Sequence, residues 1–196
     1  MLWNIDGTPL SGSSNSEIWL VQGQICNIPI QYRRNFQYVC GIYHSYEKHP
    51  NMTSFCKPFT DGLKDIYENG IRWYDKKSKE MKLSIAIAPL ATCDAPATAA
   101  AQNVMKHTGK NSCNFCEICG ETCETGLGHC TIFPLDKFNV PTLRTMERMI
   151  AQAQKAMDEG IEHVLGVKGP CIAALIPHFD FAANFAPDYL HAILLG

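Results

Sequence analysis

The feature that most restricts how this chain can fold is a run of thiols, Cys113-x2-Cys116-x2-Cys119-x3-Cys123, with His129 and Cys130 just beyond it. Five of the ten cysteines fall between 113 and 130. A C-x2-C turn brings two thiolates to one tetrahedral ion, and a further pair of thiolates or imidazoles completes the site, so structural Zn2+ is the first expectation. The same spacing matches the iron-sulfur run of bacterial ferredoxins, but Glu124 stands where that run carries proline and no second run exists. A surface loop of unligated thiols is the third reading.

Disulfides are not expected. The first residues, Met1-Leu2-Trp3-Asn4-Ile5-Asp6, have neither the basic and apolar regions nor the cleavage site of a secretory leader. The thiols are therefore read as belonging to a reducing compartment. With 46% apolar and 18% charged residues in 196, the chain has enough apolar residues for a core, and no apolar stretch reaches the ~18 residues of a membrane span. A net charge of -2 gives no general attraction to DNA or to anionic lipid. Any nucleic-acid contact has to be local.

Periodicity divides the chain. Residues 2–5, 18–25 and 36–43 read as three strands of a meander, broken by Gly, Ser, Pro and Arg-Asn segments. From Thr53 the period becomes helical, through Phe55, Phe59, Leu63, Ile66 and Tyr67, with Asn51 or Thr53 as cap and Gly70 as stop. Residues 71–74 read as short and extended, and 82–93 as one central strand ending at Asp94. Pro96 and an alanine-rich stretch predict a helix to Lys106. Thr142 is expected to cap an amphipathic helix with Leu143, Met146, Ile150, Ala153 and Met157 on its apolar stripe.

Two aspartates stand at predicted strand ends, Asp6 before Gly7 and Asp94 before Pro96. Carboxylates on neighbouring strands can hold Mg2+ for phosphodiester chemistry. Taken residue by residue, a turn for Asp6 and a helix cap for Asp94 are the commoner roles. Lys106, His107, Lys110 and Asn111 form a small basic patch that reads as a phosphate contact or a solvated helix end.

Several unusual strings carry a resemblance. They are Asp6-Gly7-Thr8-Pro9 with Ile18-Trp19, Phe55-x2-Pro58-Phe59-x3-Leu63 with Asn69-Gly70-Ile71, Cys93-Asp94-Ala95-Pro96-Ala97, Gly109-Lys110-x2-Cys113-x2-Cys116, Gly166-Val167-Lys168-Gly169-Pro170, and Phe179-Asp180 with Pro187-Asp188-Tyr189-x-His191-x2-Leu194-Leu195-Gly196. Together the chain resembles the DDE-type cut-and-paste transposases of the CACTA, Mirage and Chapaev group. The resemblance implies an α/β, RNase H-like mixed sheet over residues 1–107 and a zinc-containing, mostly helical insertion over 108–196, incomplete at both ends.

It further implies that Asp6 and Asp94 are the first two catalytic, Mg2+- or Mn2+-binding acids. Cys113, Cys116 and His191 become zinc ligands, with Cys119, Cys123, His129 and Cys130 as the pool for the remaining place. DNA is the implied partner and the nucleus the implied location, with no membrane association. The third acid is expected downstream of the Leu194-Leu195-Gly196 string, and the region that recognises transposon ends is expected to be missing. Glu147, Glu162 and Asp188 match no family position. The expected function is thus that of a transposase fragment, inactive alone. The alternatives are a non-catalytic, zinc-stabilised DNA- or protein-binding module derived from a transposase, and an iron-sulfur redox protein.

Overall fold

The computed structural model describes residues 1–10, 16–46, 50–106, 108–126, 128–134 and 140–187; His191, His49, His107, Asp188 and the 192–195 apolar run lie outside them. The protein is mixed α/β, with a mixed sheet and several helices. It divides into two compact units, Met1–Thr92 with Ile172–Phe179, and Cys93–Cys171 with the described residues from Asp180 on. No helix among the described residues is long and apolar enough to cross a membrane.

In the first unit, β1 (Leu2–Pro9), β2 (Glu17–Gln24) and β3 (Gln37–Ser45) form the expected antiparallel meander, with the four-residue helix α1 (Ile30–Arg33) before β3. Alternation sorts the faces. Trp3 and Ile5 of β1, with Trp19 and Val21 of β2, are buried, while Asp6 is exposed. The helix α2 (Met52–Asn69) covers the buried side with Cys56, Phe59, Thr60 and Leu63. The Trp3 ring lies 5.6 Å from that of Phe59 and 5.2 Å from that of Phe179. Helix α2 starts and stops where its sequence says it should. The Asn51 side chain accepts the Ser54 N–H at 3.0 Å, and Gly70 ends the helix at φ 71°.

The single strand expected over 82–93 is instead two. β5 (Glu80–Ser84) pairs with β4 (Ile71–Asp75) in a separate hairpin, and only β6 (Leu90–Cys93) joins the main sheet, parallel to β1 through Leu2 with Leu90 and Trp3 with Ala91. The cause is the Asp75 carboxylate. It accepts the Lys77 N–H at 2.9 Å, the Ser78 hydroxyl at 3.0 Å and the Lys82 ammonium, closing a tight turn that pairs β5 back onto β4. Ile85 and Ile87 are left exposed, and Pro89 cannot donate to a ladder. Strand order in this unit is β3-β2-β1-β6. Asp6 consequently lies inside β1, opposite Leu20, rather than at its end.

In the second unit α3 (Ala95–Gln102) starts after Asp94, whose Oδ1 accepts the Ala97 N–H at 2.7 Å. It stops four residues before Lys106 because Asn103 turns into the left-handed region at φ 55°, after which Met105 N–H bonds the Gly166 carbonyl at 2.8 Å. Gln102, fully buried, donates to the Phe181 carbonyl at 2.8 Å. A hairpin of β7 (Glu121–Thr125) and β8 (Gly128–Ile132) follows, then α4 (Met146–Glu159), a 3₁₀ turn (Ile172–Leu175, part of the first unit) and β9 (Phe185–Pro187).

Three expectations about this half are corrected. The cap of α4 is Thr145, which accepts the Arg148 N–H at 3.3 Å, and Thr142 belongs to an extended segment bonded to 115–117. The buried face is Met149, Gln152, Ala153 and Ala156, whereas Leu143, Ile150 and Met157 are 67%, 57% and 57% exposed. The described residues of 108–196 are not mostly helical either: they hold one α-helix of 14 residues beside a β-hairpin.

Candidate metal centre

Cys113 and Cys116 come together. Their sulfurs are 3.2 Å apart, and the N–H groups of Phe115 and Cys116 both point at the Cys113 Sγ, each at 3.4 Å. Two sulfurs on a tetrahedral ion with bonds of about 2.3 Å stand about 3.8 Å apart, so the pair would open by about half an ångström to hold zinc. Burial pushes the Cys116 thiol above its ordinary value, and the hydrogen bond with Cys113 and its charge add to this; the Ile118 N–H and the Arg144 charge oppose it.

The turn that carries them is fixed from three sides. Asn114, buried, donates from Nδ2 to the Ala95 carbonyl at 3.1 Å, tying the turn to the first residue of α3. The extended 142–144 segment runs alongside, with Arg144 N–H to the Phe115 carbonyl and Glu117 N–H to the Thr142 carbonyl, both at 2.9 Å. Arg144 then reaches in: Nε donates to the Cys113 carbonyl at 2.9 Å, and Nη2 to the Leu165 carbonyl at 2.9 Å and the Asn111 carbonyl at 3.3 Å. Gly166 makes room for this clamp. At φ 90°, a Cβ there would lie 2.0 Å from the Asn111 oxygen and 3.1 Å from Arg144 Nη2.

Glu117, one residue past Cys116, is held by Arg148 Nε at 2.9 Å and Nη2 at 2.6 Å and by Gln152 Nε2 at 2.6 Å. The Arg148 hydrogen bonds hold its carboxyl below the usual range, with burial opposing. Thus α4 holds the segment just past the dithiol, and Arg144, two residues before that helix, holds it from the Asn111 and Cys113 side.

Among the described residues the other sequence candidates do not join it. Cys123 and Cys130 face each other across β7 and β8, with Glu124 opposite His129, and all are exposed, as is Cys119. Among the described residues no three His, Cys, Asp or Glu side chains form a group able to hold an ion. His191 lies outside the described residues.

Asp6 occupies a different setting. With Asn4, Gln22, Gln24, Gln37 and Thr92 it lines a groove of about 280 Å3 on the first unit. Asn4 donates to the Thr92 carbonyl, and Gln24 Nε2 to the Arg33 carbonyl at 3.2 Å, so both amides keep a carbonyl oxygen as acceptor. Carboxylate and amide oxygens are the donors a hard cation prefers. Asp94 belongs to the second unit, where one carboxylate oxygen caps α3. The cap reading of the sequence is therefore observed, and a cap spends only one of the two oxygens.

Arg144 and Glu117 are the residues that sequence reasoning missed. Glu117 fills a variable place of the cysteine run, and an arginine beside a helix cap is ordinarily solvated. Compared with protein-family models, with curated proteins and with solved structures, the chain matches none.

Proposed function

We propose that the chain carries the first part of a DDE transposase catalytic core, RNase H-like in fold, with Asp6 and Asp94 as its first two metal-binding acids and a zinc site begun by Cys113 and Cys116. The observation that supports this reading best is the strand arrangement. An antiparallel meander, a covering helix and then a strand parallel to β1 give the order β3-β2-β1-β6, with Asp6 on β1 and Asp94 the residue that follows β6. The oxygen-rich groove beside Asp6 adds chemical support. Mg2+ or Mn2+, when bound, would stabilise the charge that builds up on phosphate oxygens during strand cleavage and transfer. The chain's own part is to supply two carboxylates, one on a central strand and one at a helix start.

No residue in 1–196 takes the position that the resemblance gives to a third acid. A polypeptide of these residues should therefore leave duplex DNA intact in Mg2+ or Mn2+. Nicking by this polypeptide that disappears in Asp94→Asn would show a complete active site and overturn that part of the reading.

A further inference from the structure

We propose that the β4–β5 hairpin is a binding site for single-stranded DNA, with its lysine-rich turn holding phosphates and Tyr74 stacking on an unpaired base. None of its residues is a metal ligand in the reading above, so the inference stands or falls without that reading.

Charge singles the hairpin out. Between Ile71 and Ser84 stand Arg72, Lys76, Lys77, Lys79 and Lys82 against Asp75 and Glu80, five cations to two carboxylates, whereas the rest of the chain holds twelve to seventeen. A chain with no general attraction to DNA thus carries a local surplus of three positive charges within 14 residues. Asp75 is engaged by Lys82 inside the hairpin. Among the described residues no carboxylate pairs with Arg72, Lys76, Lys77 or Lys79.

Exposure points the same way. Every residue of the two strands except Asp75 is exposed. A two-stranded ribbon with neither face covered is marginal in water, and exposed apolar groups gathered on it mark a surface that meets a partner. Register places Arg72, Tyr74, Met81 and Leu83 on one face, and Ile71, Trp73, Lys82 and Ser84 on the other. The Trp73 indole is already engaged: its Nε1 donates to the Ser84 hydroxyl at 2.9 Å, and the Lys82 ammonium lies 5.8 Å from the ring centre. Tyr74, 54% exposed, stands on the opposite face with the Arg72 guanidinium two residues back along the strand.

A ring beside a guanidinium, with Met81 and Leu83 as an apolar shoulder, matches what a nucleic-acid strand repeats, a flat base and then a phosphate. Duplex DNA offers the phosphates but keeps its base faces stacked inside, so it would leave Tyr74 uncovered. An acidic protein surface meets the lysines and offers no row of flat rings. Only an unpaired strand uses both halves of the hairpin.

The test uses residues 1–196 and a fluorescein-labelled oligothymidylate, with binding read by anisotropy across a salt series. Wild type should bind it more tightly than a duplex of the same length and more tightly than poly-glutamate. Tyr74→Ala should weaken binding at least about fivefold with its salt dependence unchanged, and Tyr74→Phe, which keeps the ring, should bind as wild type does. Lys76→Gln combined with Lys77→Gln should lower the slope of log affinity against log salt by about 1.4, about 0.7 for each lost phosphate contact. Wild type that leaves the oligonucleotide unbound at low salt overturns the inference. So does a duplex or poly-glutamate bound as tightly as the single strand, or a Tyr74→Ala protein that binds as wild type. If Tyr74→Ala does not fold, Tyr74→Leu, which also lacks a ring, decides by the same criterion. Each of these failures leaves the reading of Asp6 and Asp94 untouched, because that reading is tested by metal binding.

Discussion

The indole of Trp19 lies against the α-carbon of Gly7, its register partner across β1 and β2, so closely that a Cβ on Gly7 would stand 2.5 Å from the ring. Trp19 is itself 6% exposed, and its Nε1 donates to Glu17 at 3.0 Å, which leaves the ring little freedom to retreat. Gly7→Ala should therefore destabilise the protein by about 1–3 kcal/mol, the usual cost of overpacking. Thermal or urea unfolding measures it. Because Gly7 follows Asp6 directly, the same substitution should disturb amide signals along β1 more than those of α4. A neutral effect on stability would mean that the Trp19 ring is free to move.

Glu117 gives a pH signature. Its carboxyl is held below the ordinary glutamate value, chiefly by Arg148, so its contribution to stability is complete above the unfolded-state pKa of about 4.3 and is lost as pH falls through the lower folded-state value. Glu117→Gln should cost about 1 kcal/mol at pH 7, discounted because the Arg148 side chain is 48% exposed. The gap between wild type and variant should narrow below about pH 4.3. A gap that is constant from pH 7 to pH 3 would assign the effect to packing rather than to charge.

Zinc should be present at one ion per chain in protein purified without chelators. Cys113→Ser removes a sulfur that receives two N–H bonds, and a lost structural ligand removes folding free energy directly. That variant should lose zinc and also amide-exchange protection across the described residues from 108 to 134. Serine variants of Cys119, Cys123 and Cys130 sort the remaining ligands by the same measurement. Iron with inorganic sulfide in place of zinc would move the assignment to the ferredoxin-like alternative.

How much of this was legible depended on range. The meander and α2 could be read because their signals are local: alternation at Trp3 and Ile5, helical spacing from Phe55 to Leu63, and the Asn51 and Gly70 boundaries. The break within 82–93 was not read, since it depends on one carboxylate, Asp75, gathering partners from 77, 78 and 82. The signal was present as a polar Asp-Lys-Lys-Ser-Lys run, which favours a turn. For α4 the hydrophobic stripe pointed to Leu143, Ile150 and Met157, yet the helix buries Gln152 because Glu117 accepts its amide. The pairing of Cys113 with Cys116 followed from spacing alone. Arg144 could not be found that way, because its partners at 111, 113 and 165 are brought together only by folding.

The central claim is that Asp6 and Asp94 are metal-binding acids, and binding of Mn2+ tests it without requiring catalysis. Electron paramagnetic resonance of Mn2+ titrated into zinc-loaded protein gives the affinity of wild type, Asp6→Asn and Asp94→Asn. Both substitutions keep side-chain size, and asparagine caps a helix about as well as aspartate, so the Ala97 bond at the start of α3 is preserved in the second. The account predicts that wild type binds Mn2+ and that each substitution weakens binding at least about tenfold, the usual scale for losing a charged ligand. Wild type that binds no Mn2+, or variants that bind it as wild type does, would contradict the account.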